Sequence, residues 1–139
     1  MRIKPLTGSA EANCNFRDEP IHIPPEFIQR AAVAAWSDEA HVEAQRARYA
    51  ERRRLFLDLY ARKGIQVEAS QAAFYLWALV PERNGSRDSF AFAEYLMDNG
   101  VIVLPGGFMG ERGREYFRLA FVPSMKVCRE AAEILERVL

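Results

Sequence analysis

The sequence has 139 residues, half of them hydrophobic, and its 19 Lys plus Arg balance 19 Asp plus Glu, leaving no formal net charge. That length suits one domain, or one lobe of something larger, with a core of its own. The charge balance argues against a dedicated nucleic-acid binder, which carries a net basic footprint. Cys14 and Cys128 are far apart and form no C-x-x-C pair, so a disulfide framework is not expected and a reducing cytoplasm is the default. The N-terminus lacks the apolar core of a signal peptide, and no apolar run reaches the length of about 18 residues that a membrane span requires.

Residues 1–23 are polar and without periodicity and read as an irregular arm. Pro24-Pro25-Glu26 then reads as a helix start, since proline is tolerated in the first turn and an acid suits the helix N-terminus. Phe27, Ile28, Ala31, Ala32 and Ala35 follow at helical spacing, which predicts a short alanine-rich packing helix ending near Trp36. Ser37 or Asp38 can cap a longer helix running to Lys63, with Gly64 as its stop. Val42, Tyr49, Phe56, Leu59 and Tyr60 form its apolar stripe. Arg46, Arg48, Arg52, Arg53 and Arg54 lie between them. They read best as a solvated face balanced by Glu43, Glu51 and Asp58, with RNA binding as the alternative.

A short strand is predicted over Ile65–Glu68 and a stronger one over Phe74–Val80. The latter's apolar character on both faces suggests a central or helix-covered strand. Pro81–Ser86 is a loop by composition. Ser86 or Asp88 can cap the next helix, with Phe90, Ala93, Leu96 and Met97 facing inward, and Asn99-Gly100 ends it. A strand from Val101 to Leu104, a glycine-rich loop and a strand from Tyr116 to Val122 follow. Ser124 then caps a last helix carrying Val127, Ala131, Ile134, Leu135 and Val138. The order predicts an α/β (locally α+β) fold: a small open sheet, antiparallel or mixed, covered by helices.

The glycine loop holds Gly106, Gly107, Gly110 and Gly113, half of the eight glycines. It is neither a P-loop, because no Gly-Lys-Ser/Thr follows, nor a dinucleotide fingerprint, because a strand follows where a helix belongs. Its plain reading is a strand connection that needs positive φ. Metal binding is not expected, because His22 and His41 lack ligand spacing with any cysteine or with each other. No serine stands in a nucleophile elbow, and neither cysteine has an evident base.

Arg118 is the sharper residue. Alternation along its strand puts Phe117, Leu119 and Phe121 on one face and Tyr116, Arg118 and Ala120 on the other. A guanidinium fixed there offers a rigid fork matching a carboxylate or phosphate. An arginine on the wet face of a sheet is the plainer alternative, and pattern leaves both open.

Pro105-Gly106, Phe108, Gly110, Gly113, Tyr116, Arg118, Val122 and Pro123, in that order and spacing, resemble the C-terminal small-domain portion of class I and II (fold type I) pyridoxal-phosphate aminotransferases. Residues 25–31, 36–42 and 68–77 are similar to the same family, with a flavour of its succinyldiaminopimelate branch, which makes the lysine precursor diaminopimelate. The resemblance covers residues 24–139 and implies that Arg118 binds the substrate α-carboxylate. It further implies pyridoxal 5'-phosphate as cofactor, an amino acid and a 2-oxo acid as substrates, and a homodimer in the complete enzyme.

The same resemblance places the Schiff-base lysine and the cofactor-phosphate turn in a large domain that this sequence does not match. Of the three lysines, Lys63 and Lys126 fall in small-domain helices. Lys4, with Thr7-Gly8 after it, has the wrong spacing and no preceding serine. The expectation is a chain with a carboxylate clamp, no catalytic or cofactor-binding residue of its own, and no transamination alone. Its partner would be the missing large domain or a second chain. An inactive binding or assembly module derived from the same lobe is the competing expectation.

Overall fold

In the computed structural model of the protein, residues 24–68 and 70–139 are described. The predicted arm of residues 1–23, with Lys4, Cys14 and His22, lies outside them. The described chain divides into two units, with the boundary after Glu39.

The first unit carries helix α1, Glu26–Ser37, which starts behind Pro25. Arg30 bridges back to Glu26 one turn earlier at 2.6 Å, and the Ser37 hydroxyl donates to the Val33 carbonyl. Its alanine-rich pattern predicts packing, yet none of its residues is buried. Its larger apolar side chains, Phe27, Val33 and Trp36, stand well exposed.

The second unit holds the sheet. Helix α2, Glu39–Arg62, buries Phe56, Leu59 and Tyr60 near its end, as the stripe predicts. Gly64 (φ 67°) stops it, and the Ile65 N–H folds back to the Tyr60 carbonyl at 2.9 Å. Strands β1 (Tyr75–Leu79), β2 (Leu104–Pro105) and β3 (Tyr116–Ala120) form an antiparallel sheet in the order β1-β3-β2. Helices α3 (Ser89–Asp98) and α4 (Met125–Val138) complete the fold. The class is as expected, a small open sheet with helices, and its pairing is antiparallel.

Several details differ from expectation. The strand expected at 65–68 reduces to one bridge, Val67 to Ala78, because Ile65 is still committed to the helix end. The strand expected at 101–104 shrinks to Leu104–Pro105. The Val101 N–H donates to the Leu96 carbonyl rather than to a ladder, and Pro105 has no N–H to give. The last strand pairs only to Ala120, although the Phe121 N–H still reaches the Phe74 carbonyl at 2.9 Å. β1 is bordered on both edges, by β3 and by the Val67 bridge, but only its Leu76–Ala78 face is covered by helices.

The core lies on one face of the sheet. Leu76 and Ala78 of β1, with Phe117, Leu119 and Phe121, pack in one buried cluster with Phe56, Leu59 and Tyr60 of α2, Phe92 and Leu96 of α3, and Leu135 of α4. Tyr60 and Phe92 meet the Phe117 ring at 5.9 and 4.9 Å between centroids. α3 turns Phe92 and Leu96 inward, while Phe90 and Met97, expected in the core, are exposed. Phe90 instead pairs edge-on with Phe108 of the glycine loop. On α4 Leu135 of the expected stripe is buried and Ala131, Ile134 and Val138 pack against the core, but Cys128 and Ala132 are buried as well and Val127 is exposed. Ser124 caps α4, and Tyr95 ties α3 to its end through the Val138 carbonyl at 3.0 Å. No described helix is long and apolar enough to cross a membrane.

Candidate functional site

Within the second unit no described helix lays its apolar stripe on the other face of the sheet, which presents side chains by simple alternation. β1 contributes Tyr75, Trp77 and Leu79; β3 contributes Tyr116, Arg118 and Ala120. Because β3 is the middle strand, Arg118 has Trp77 directly across on one side and Leu104 on the other. Its stem is thereby flanked by apolar side chains, and the residue is half-buried. The guanidinium lies 5.0 Å from the Tyr75 ring centroid, a cation–π contact that fixes where the charge sits. Trp77 stacks on Tyr116, with centroids 5.5 Å apart and planes 9° from parallel. The site is an aromatic plate beside a held cation.

Arg118 is among the described arginines that have no ion pair. Arg30, Arg62, Arg87 and Arg114 each lie within salt-bridge distance of a glutamate. No carboxylate among the described residues lies that close to Arg118. A guanidinium on an open face, oriented but unneutralised by those residues, is suited to accept an anion from outside.

The glycine loop reaches this face at the aromatic plate rather than at Arg118. It is built of two short 3₁₀ turns, Gly106–Met109 and Glu111–Gly113, joined at Gly110 (φ 114°), where an L side chain is strained. A Cβ on Gly106 would collide with the carbonyls of Gly113 and Tyr116 and with the Trp77 ring. The loop's two ends therefore touch backbone to backbone, directly against the plate.

Sequence reasoning did not single out Ser89 or Trp77. Ser89, fully buried at the start of α3, accepts from the Gly107 N–H at 3.2 Å, and its own N–H donates to the Arg114 carbonyl at 3.0 Å. It thus fastens both sides of the loop. The cap itself is Asp88, which accepts from the N–H groups of Phe90 and Ala91; a serine following such a cap is the signal that could have drawn attention to it. Trp77 is significant only through register, which no single strand displays.

The remaining candidates sit elsewhere. Lys63 is tied to Glu136 at the end of α2, and Lys126 is exposed on α4, in the layer behind the sheet. Cys128 is buried, and burial pushes its thiol pKa up, with Arg52 pulling weakly the other way, so it is no ready nucleophile.

The second unit is thus an antiparallel sheet with helices on one face and an oriented arginine on the other. The family model for aminotransferase class I and II matches residues 12–135. A 4-dedimethylamino-4-oxo-anhydrotetracycline transaminase of Streptomyces rimosus is 42% identical over 100 residues, covering 72% of this chain and 26% of its own. An LL-diaminopimelate aminotransferase of Moorella thermoacetica is 37% identical over 117 residues, covering 82% of this chain and 29% of its own. The solved structure of an aminotransferase from Mycobacterium tuberculosis superposes with a TM-score of 0.74 at 32% identity, over 96% of this chain and 35% of that one.

The chain belongs to the class I and II aminotransferase family, the fold type I pyridoxal-phosphate enzymes. It spans well under a third of the length of the curated relatives it matches. The described residues do not fit the family's cofactor. A Schiff base needs a lysine amine free to condense with the cofactor's aldehyde. Of the described lysines, Lys63 spends its amine on the Glu136 carbonyl and carboxylate, and Lys126 lies on the helix layer behind Arg118's sheet.

Proposed function

We propose that this chain supplies the substrate-carboxylate lobe of an aminotransferase that moves an amino group between an amino acid and a 2-oxo acid. Residues 24–139 form the small-domain part in this reading. The observation that carries it is Arg118: a guanidinium held by β3 and the Tyr75 ring on the open sheet face, with no carboxylate among the described residues to neutralise it.

Two parallel N–H···O bonds from Arg118 to an α-carboxylate would fix the substrate's orientation as well as its position. The Trp77–Tyr116 plate gives the substrate an apolar wall and keeps water off the ion pair, which strengthens it. The cofactor site and the reactive lysine belong to a large domain, joined in the same polypeptide or supplied by another chain, and the complete enzyme works as a cytoplasmic homodimer. Residues 1–139 alone bind carboxylate without transaminating. The diaminopimelate aminotransferase among the relatives, with the succinyldiaminopimelate flavour of residues 25–77, makes a diaminopimelate-type amino acid the first donor to assay.

A test uses the protein's own fluorescence. With Trp36→Phe as background, Trp77 is the remaining tryptophan, directly across from Arg118. Succinate should change its emission saturably, and Arg118→Gln should abolish the response. An equal response in both proteins sinks the carboxylate-clamp reading. A second reading, an inactive binding or assembly module, is favoured by the exposed Phe27, Val33 and Trp36 of α1. It predicts self-association, measured by sedimentation, that Trp36→Glu abolishes and Arg118→Gln leaves unchanged.

A further inference from the structure

Away from the open face, a cavity of about 500 Å³ lies between α2 and the segment that leads into β1. Arg46, Tyr49, Ala50 and Arg53 line it from α2, and Ala73 and Phe74 from the other side. The two arginines are seven residues apart on one helix face, with Tyr49 and Ala50 between them, so both guanidiniums border the same hollow. No carboxylate lines it.

Arg53 is half-buried and is anchored by donating to the Ser70 carbonyl at 2.8 Å, a contact that orients its fork without neutralising its charge. A third guanidinium, that of Arg52, stands 5.5 Å from the Tyr49 ring centroid and adds to the positive field. None of the three has an ion pair among the described residues. The apolar wall is equally defined. The Tyr49 and Phe74 rings are 6.2 Å apart and tilted by 34°, and Phe74 keeps 47% of its surface exposed although it is a large aromatic. Ala73, beside it, holds φ at 66°, a left-handed conformation that a side-chain-bearing residue adopts at a cost.

We propose that this cavity is a second ligand site, distinct from Arg118, for a small aryl carboxylate. The carboxylate takes the guanidiniums of Arg46 and Arg53, and the flat apolar body lies on Tyr49 and Phe74. A ring meets rings better than a floppy chain does, because offset or edge contacts among aromatics add to their buried area. The volume is that of a small-molecule site, and an apolar lining with a few convergent polar groups is the usual composition of one. The excess positive charge selects an anion over a neutral analogue.

The test is a titration of the ¹⁵N-labelled 139-residue chain with 3-phenylpropionate, followed by amide chemical shifts. The expected result is saturable movement of Ala72, Ala73 and Phe74 amides with a Kd on the order of 1 mM. Binding should weaken about tenfold in Arg46→Gln, where one charge-assisted contact is lost. Arg46 is exposed, so that variant keeps its fold; Arg53→Gln also removes the tie to Ser70 and serves as the second variant. Arg118→Gln should leave the titration unchanged, which separates this site from the clamp. Equal binding of neutral 3-phenylpropanamide would overturn the proposal. So would equal binding of inorganic phosphate, shifts confined to β3, or an unaltered titration in Arg46→Gln.

Discussion

Phe117 and Arg118 are neighbours in sequence and occupy opposite media. Phe117 is fully buried between the rings of Tyr60 and Phe92, whereas Arg118 stands half-buried on the face that no described helix of its own unit covers. The strand supplies both with one geometry, since successive side chains point to opposite faces. The helix-covered face is where stability is made. The open face can therefore carry an arginine and an aromatic plate that contribute little to folding and are available for recognition. The difference teaches that substitutions on the two faces should separate stability from binding.

The largest effect expected is that of Phe117→Ala. Truncating a fully buried aromatic ring should cost about 3–5 kcal/mol, read as a lowered denaturation midpoint. If the two faces were alike in burial, Tyr116→Ala would cost as much; it should cost clearly less. Gly106→Ala comes next, at about 1–3 kcal/mol, because the new methyl group meets backbone carbonyls that cannot rotate away. It should also disturb the Trp77 fluorescence, since the same methyl meets that ring.

Tyr60→Phe tests the buried face in the opposite direction. The Tyr60 hydroxyl is buried with no hydrogen-bond partner among the described residues, and burial drives its pKa upward. Removing it should stabilise the protein by about 1 kcal/mol, measured as a rise in denaturation midpoint. Arg118→Gln should change stability by less than about 0.5 kcal/mol while removing the succinate response. A large stability loss in Arg118→Gln would mean that the open face is a core after all.

The smallest effect concerns pH. The hydrogen bond from Arg62 holds the Glu136 carboxyl below its ordinary 4.5, with the charges of Arg62 and Lys63 helping. A depressed carboxylate contributes stability above its unfolded pKa and loses it as pH falls through the folded value. Stability should thus fall slightly more steeply below pH 4.5 than in Arg62→Gln. The pair is exposed, so the difference is small.

Much of the architecture was legible in the residues. The alternation of Tyr116–Ala120 assigns Phe117 and Arg118 to opposite faces, Gly64 stops α2, and Asp88 and Ser124 cap their helices. What could not be read depends on partners distant in sequence. The segment before β2 looks like a strand by composition, but its amide at Val101 is taken by Leu96. The inward stripes of α3 and α4 were legible in part: Leu96 and Leu135 are buried, and Ala93, Ala131, Ile134 and Val138 pack against the core. Phe92, Cys128 and Ala132 also turn inward while Phe90, Met97 and Val127 are exposed, because the sheet decides which side is buried. Arg118 could be found from its own strand. Trp77 and Leu104 could not, since only register brings them beside it.

The close approach of Gly106 to Gly113 has a mechanical consequence. It pinches residues 106–113 into a closed eyelet whose base is sewn to Ser89 and pressed on Trp77. Slack introduced at the rim, among Phe108, Met109 and Arg112, has no route into β3 except through that seam. The rim can therefore be resculpted to change what approaches the open face, while the bearing of Arg118 stays where the strand put it.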